Sequence, residues 1–263
     1  MKKIAILLLA ILTFSCSDDD EKGTEEDKGQ WAMIFNETVK SDSNPVDRTE
    51  KFMFDGERLI QHIIKQRYFE EEINNDVNLS YSDNQVTVTT DYLTLVYTLN
   101  SEGYASQCVY SLSSQNRIYQ FSYSAEGYLT GIVENIDDTE YSSTSLTYEN
   151  GDITSISSKM NGLENKFIYE PGEESSTYHL PCLGLLEIHP LTFHIEALYA
   201  GLLGKDPRHF TIRSCPAGSN DEKTVYSYGF DKKGNPSRMI CQTTYAGGQA
   251  SYYPYTRNIS VSF

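Results

Sequence analysis

Positive charge, cysteine, tryptophan and long apolar runs are all scarce in this chain, and each scarcity closes off a class of protein. Twenty-one lysines and arginines stand against 37 aspartates and glutamates in 263 residues, a formal net charge of −16. That balance repels phosphate backbones and anionic headgroups, so no nucleic-acid partner is expected. The longest apolar run, residues 4–12, belongs to a stretch of 11 residues between Lys3 and Ser15. A helix crossing a bilayer needs about 20 residues, so this stretch is an export signal rather than a membrane span. The single tryptophan, Trp31, stands just behind the amino-terminal segment, where it serves to anchor the first strand. Five cysteines include no C-x₂-C pair, which removes the common zinc-site spacings.

Catalytic signatures are missing as well. The chain has no G-x-S-x-G, no P-loop, no G-x-G-x-x-G behind a strand and no H-E-x-x-H. His189 and His194 lie five apart with Pro190 between them, which does not set them on one helical face. With Glu187 and Glu196 near, they read as packing or surface groups rather than metal ligands. Acids such as Asp137-Asp138 are accounted for as turn formers. No cofactor, no metal and no enzymatic activity is expected.

What the chain does have begins with an address. Lys2 and Lys3 precede the apolar run, and Thr13-Phe14-Ser15 leads into Cys16. A cysteine directly behind a small residue resembles the lipid-modified cysteine of bacterial lipoproteins, although Phe14 is bulky for that motif and the usual leucine sits one place early, at Leu12. Ser17, Asp18, Asp19, Asp20 and Glu21 follow at once and resemble the acidic surface-export signal of Bacteroidota lipoproteins. Cleavage before Cys16 removes Lys2 and Lys3 and no acid, taking the net charge from −16 to −18. The expected organisation is a signal peptide over residues 1–15, an acidic tether over 16–30 that is too poor in apolar residues to fold alone, and one β domain over 31–263. The expected location is the outer membrane, held by lipid alone and facing outward.

The domain is built on a repeat. Gly103, Gly127 and Gly151 are spaced by 24, each ahead of alternating side chains, with looser copies at Gly56 and Gly234. Between them fall further turn formers: Ser114-Gln115-Asn116, Asp137-Asp138, Asn161-Gly162 and Pro171-Gly172. Tyr119, Phe121 and Tyr123 share one face while Ile118, Gln120 and Ser122 share the other, the period of a strand. Residues 57–72 also fit a helical stripe through Leu59, Ile60, Ile63 and Ile64; their phase with the repeat assigns them to strand. The fold class is all-β: a long-stranded antiparallel meander curled into an open or partly closed barrel-like sheet, with a short helical insert near 183–204. In that insert Leu191, Ile195, Leu198 and Leu202 recur at helical spacing, with Gly204 as the helix end and Pro207 beyond, and the insert is expected to plug or cover one sheet face. Outside the cytoplasm the remaining cysteines are disulfide candidates. Cys182 and Cys215 bracket the insert, whereas Cys108 and Cys241 meet only if the sheet curls round on itself; buried free thiols are the alternative. Alternating residues at 259, 261 and 263 match the last strand of a membrane barrel, but Ile153-x-Ser155-x-Ser157 and Arg238-x-Ile240-x-Gln242-x-Thr244 lack an unbroken lipid face, so a water-exposed sheet is preferred.

The glycine copies resemble, loosely, the Tyr-Asp (YD/RHS-type) repeats. With the address, the stretch Leu198-Tyr-Ala-Gly-Leu-Leu-Gly-Lys205 resembles a Bacteroidota lipoprotein family of unknown function with a porin-like β-fold. That resemblance covers most of residues 50–263; it implies a fold and no activity. The expected function is non-catalytic binding of an unknown surface ligand (glycan, peptide or protein) on the tyrosine-rich sheet, Tyr252-Tyr253-Pro-Tyr255 included, or under the insert. A structural or adhesive envelope component and a glycoside hydrolase-like enzyme are the alternatives.

Overall fold

Positive φ at both central residues turns a strand back with the right-handed twist its neighbours need. Asp137-Asp138 (φ 48° and 64°), Asn150-Gly151 (53° and 89°) and Asn161-Gly162 (51° and 79°) all adopt it. In the computed structural model the described residues are 29–39, 46–68, 71–112, 115–176, 180, 185–186, 188–219, 221–248 and 255–262. Cys16, Ser17, Asp18, Asp19, Asp20 and Glu21, with Ser114, Cys182, Glu187 and residues 252–254, lie outside them. Among the described residues sixteen strands form one antiparallel barrel: β1 Gln30–Val39, β2 Val46–Asp55, β3 Arg58–Tyr68, β4 Glu71–Ser82, β5 Gln85–Thr89, β6 Thr94–Leu99, β7 Ala105–Leu112, β8 Gln115–Tyr123, β9 Leu129–Ile136, β10 Thr139–Glu149, β11 Asp152–Met160, β12 Leu163–Ser175, β13 His209–Pro216, β14 Lys223–Phe230, β15 Pro236–Thr244 and β16 Tyr255–Ser262. Each strand pairs with its sequence neighbours, and β1 pairs with β16 from Ala32↔Ser262 to Glu37↔Arg257. The sheet therefore closes fully, and residues 58–68 are strand as the repeat phase required.

The repeat encodes more than a turn. Ser106, Thr130, Thr154 and Ser237 each follow their repeat glycine by three positions, and each is skipped in the pairing with the preceding strand. Such a bulge shifts the side-chain phase by one and sharpens the local twist that closing a barrel demands. Buried side chains consequently fall three apart across it: Ala105 and Cys108, Leu129 and Ile132, Ile153 and Ile156, Pro236 and Met239. This corrects the simple alternation at β11: Ile153 points inward while Ser155 and Ser157 belong to the other face. Tyrosine hydroxyls stabilise neighbouring carbonyls near such irregularities. Tyr81 donates to Leu59 O (2.8 Å), Tyr123 to Ala105 O (2.6 Å) and Tyr228 to Thr211 O (2.9 Å). Pro171-Gly172 is no turn; it lies within β12 at a register shift against β13.

Trp31 anchors the first strand, donating from Nε1 to Gly56 O at 2.7 Å and stacking on Phe54 at 4.1 Å. The inner face is largely apolar, through Phe35, Phe52, Leu59, Val88, Tyr97, Phe121, Ile132 and Ile259 among others. Residues such as Gln120, Ser122, Arg238 and Gln242 stand exposed on the outer face. A membrane barrel has the opposite polarity, lipid-facing apolar outside and polar within.

Successive turns alternate between two rims. The repeat glycines mark one, here the glycine rim; Asp137-Asp138 and Asn161-Gly162 mark the far rim. The insert between β12 and β13 enters the barrel at the glycine rim. Its residues touch Phe35 on β1, Phe52 on β2, His62 on β3, Tyr97 on β6 and Glu134 on β9, contacts reachable together only from inside. The helix within it is shorter than the spacing predicts: a 3₁₀ turn Leu191–Phe193, then α1 Ile195–Tyr199. Gly201 (φ 68°) ends it in a Schellman motif, with Gly201 N–H donating to Leu198 O and Leu202 N–H to Ala197 O. Gly204 has another task, close approach: a Cβ there would lie 2.6 Å from Gly127 O. Backbone bonds seal this rim, Leu202 O accepting from Ala105 N (2.7 Å), and Gly127 O and Gly151 O accepting from Lys205 N (2.9 Å) and Arg208 N (3.1 Å).

The disulfide expectation at Cys108 and Cys241 is corrected. β7 and β15 stand eight strands apart in a ring of sixteen, directly opposite, and Cys108 is a free, fully buried thiol. Cys108 fills the apolar slot that Ile132 and Ile156 fill in later repeats, and burial pushes its pKa up to about 12. Cys215 lies on β13 as a free thiol, and its candidate partner Cys182 is outside the described residues.

A polar chamber between the plug and the wall

Apolar packing dominates near the glycine rim, and polar inner-face residues gather toward the far rim. The sequence places them there by phase: on β9, Leu129 and Ile132 point inward across the bulge, and Glu134 is the next inner position. Glu134 is completely buried. Its Oε2 accepts from Ser142 Oγ at 2.7 Å and from His189 Nε2 at 2.5 Å, while Arg117 Nη1 lies 3.2 Å from Oε1. An ionised carboxylate carries no proton to give, so the Nε2–H of His189 must be the donor, which orients the imidazole. Burial alone would raise the Glu134 pKa. The His189 and Ser142 hydrogen bonds and the charges of His189 and Arg117 outweigh burial and hold it below the usual carboxylate range. The backbone is held too: His189 O accepts from Thr144 Oγ1 (3.1 Å) and Ser158 Oγ (3.2 Å), tying the plug to β10 and β11.

Two further histidines have structural partners. His194, fully buried, shares a hydrogen bond of 2.7 Å with Tyr97 OH through Nδ1, and its ring stands perpendicular to the Tyr119 ring, with centroids 4.4 Å apart. Burial lowers its pKa to about 3; the Glu134 charge opposes this and His189 adds to it. The ring is therefore neutral at ordinary pH. His62 Nδ1 meets Glu196 Oε1 at 2.8 Å and stacks on Phe52, which also stacks on Tyr199 at 3.9 Å. Beside it Glu50 pairs with Arg48, and Arg257 lies 3.6 Å from Glu37 and 3.8 Å from Glu50. His189, His194 and Glu196 thus go to three different partners, and among the described residues no group of three or more His, Cys, Asp or Glu side chains could hold a metal.

Beside His189 a cavity of about 360 Å³ opens between the plug (Ile188, His189) and the wall. The wall contributes Ser158 and Met160 from β11, Leu163, Asn165, Phe167 and Tyr169 from β12, Ser214 from β13, and Thr224 and Tyr226 from β14. Met160 and Leu163 flank the Asn161-Gly162 turn and are 37% and 73% exposed, which puts the mouth at the far rim. Ser214 Oγ and Tyr226 OH share a hydrogen bond of 3.1 Å, and Thr224 Oγ1 bonds Thr243 Oγ1 at 3.1 Å. Among the described residues two register pairs join β13 to β14, Arg213↔Val225 and Ser214↔Thr224, fewer than join any other two neighbouring strands described, and the cavity backs onto this thinly paired stretch of wall. Sequence reasoning offered the tyrosine-rich sheet face and the space under the insert as candidate ligand sites and did not single out the residues that line this cavity. The one available signal was Glu134, a carboxylate at an inner-face position, which demands buried partners.

Residues 52–238 match the family described as a domain of unknown function (DUF4595) with porin-like fold. A crystal structure of a porin-like protein from Bacteroides uniformis is similar, with a TM-score of 0.80 and 27% identity over 88% of this chain and 96% of that one. A porin-like protein from Bacteroides vulgatus shares the fold, with a TM-score of 0.54 and 11% identity over 86% of this chain and 96% of that one. Among curated proteins nothing matches.

Proposed function

Because the chain belongs to the family of domains of unknown function with a porin-like fold, we propose that it is an outward-facing outer-membrane lipoprotein whose barrel is a non-catalytic binding module. The observation that carries the binding reading is the cavity of about 360 Å³ held open between the plug and β11 to β14, a size in the range of small-ligand sites. Support for the anchor is the run from Lys2 through the apolar stretch to Cys16, with the acids Asp18 to Glu21 behind it. Support for a barrel that sits in water is its polarity, with the apolar core inside and exposed polar residues outside.

Anchor and cavity are geometrically compatible. Gly29 O accepts from Gly56 N at 3.1 Å, so the chain enters β1 at the glycine rim, the rim the plug seals. A lipid ahead of that point leaves the cavity mouth at the opposite rim, away from the membrane. The test is fractionation of cells expressing wild type and Cys16→Ala, with metabolic fatty-acid labelling and protease treatment of intact cells. Wild type is expected in the outer membrane, labelled and cleaved from outside; Cys16→Ala is expected unlabelled and extracted by buffer alone. Detergent-dependent extraction of the unlabelled variant would refute the lipid-only anchor.

A further inference from the structure

We infer that the cavity takes one uncharged sugar ring at the end of a saccharide chain. The inference rests on the binding reading above and names its ligand class. Size sets the first limit. A space of about 360 Å³ lies near the small end of ligand pockets, enough for a ring or two and too small for a helix or a protein loop. Lining chemistry sets the second. Phe167, Tyr169 and Tyr226 supply aromatic rings, while Ser158, Ser214, Thr224 and Asn165 supply neutral donors and acceptors.

Charge sets the third limit. The chain carries 37 acids, yet among the described residues no carboxylate, guanidinium or ammonium lines this cavity. The lining His189 is committed through Nε2 to Glu134, which Arg117 and Ser142 also hold. An ionic ligand would lose its hydration here without a counter-charge, which is costly. A purely apolar ligand, an aromatic peptide side chain included, would cover the Asn165 amide without a polar partner and leave unused the capacity that the Ser214, Tyr226 and Thr224 hydroxyls keep beyond their existing bonds. A sugar ring avoids both penalties: its C–H faces suit the aromatic walls and its hydroxyls suit the polar groups.

The experiment is calorimetric titration of the purified full-length protein in detergent with three probe sets: neutral gluco-, galacto-, manno- and xylo-oligosaccharides, uronic-acid oligosaccharides, and tyrosine- or tryptophan-bearing dipeptides. Thr224→Phe fills the cavity, Tyr226→Phe removes one hydroxyl without adding volume, and Val225→Phe alters the adjacent outward position; urea midpoints report folding of each. The expected result is binding of a neutral oligosaccharide, weakened on the order of tenfold by Thr224→Phe and by Tyr226→Phe and unchanged by Val225→Phe. If Thr224→Phe does not fold, Tyr226→Phe carries the comparison. Preferential binding of dipeptides or uronic acids in the same cavity would overturn the sugar assignment and leave the binding module standing. Saccharide binding indifferent to both cavity variants would overturn the site, and silence across all three sets would overturn the binding reading itself.

Discussion

Glu134→Gln is the sharpest probe of the plugged barrel, because it changes a charge and almost no shape. The carboxylate is fully buried and serves three partners: Ser142 Oγ at 2.7 Å and His189 Nε2 at 2.5 Å on one oxygen, Arg117 Nη1 at 3.2 Å from the other. A glutamine offers one oxygen and one NH₂. If the oxygen keeps the His189 and Ser142 bonds, the NH₂ opposes the Arg117 guanidinium; if the amide flips, it opposes the His189 N–H. One donor–donor conflict results either way. Breaking a buried ion pair costs about 3–5 kcal/mol when the survivor is trapped. Here Arg117 and His189 keep 20% and 25% of their side-chain surface and regain some water. The expected loss is therefore about 2–3 kcal/mol, roughly the gap between charge-assisted and neutral hydrogen bonds summed over these contacts. Urea unfolding at neutral pH measures it, with the slope unchanged. The pH dependence checks the cause. The folded Glu134 pKa lies below its unfolded value near 4.5, so its contribution is complete above that value and is lost as pH falls through the folded one. The gap between wild type and variant should be widest at neutral pH and narrow below about pH 4. A loss under about 1 kcal/mol, or a gap indifferent to acid, would refute the reasoning.

Other consequences are as direct. His194 is neutral in the fold, with a pKa of about 3 against 6.5 unfolded, so only the unfolded chain takes up a proton between those values. Stability should fall by about 1 kcal/mol per pH unit on acidification from pH 6.5, and His194→Phe should remove that part of the slope in urea titrations. Glycine substitutions should separate strain from collision: Gly103→Ala (φ 83°, open space) costs about 1 kcal/mol, whereas Gly204→Ala costs clearly more, since its Cβ would lie 2.6 Å from Gly127 O. Thermal unfolding of the pair decides it, equal losses counting against a close plug–rim contact.

The repeat was legible because its parts are local. A positive-φ glycine at 103, 127 or 151 specifies a hairpin within four residues, whatever lies further along. The strand assignment of residues 57–72 rested on the same phase. Strict alternation failed at Ile153 because the bulge at Thr154 inserts a residue that no composition marks. The helix in the insert was overdrawn because Leu202 and Gly204 continue its apolar spacing, while Gly201 ends it and the glycine rim binds the backbone of Leu202 and Lys205.

Taken alone, the sequence determined an all-β chain of long hairpins with an inward apolar face, since turn geometry and side-chain period act over a few residues. Tertiary structure alone decided that β16 meets β1, that Cys108 stands opposite Cys241, and that the insert goes inside. It also decided that Glu134 finds His189 55 positions away, and that residues from Ser158 to Tyr226 surround one cavity. Closure depends on twist and stagger accumulated over all sixteen strands. A buried charge then takes its partner from whichever side chain the closed wall and the plug bring within reach, and neither condition leaves a trace in any short stretch of chain.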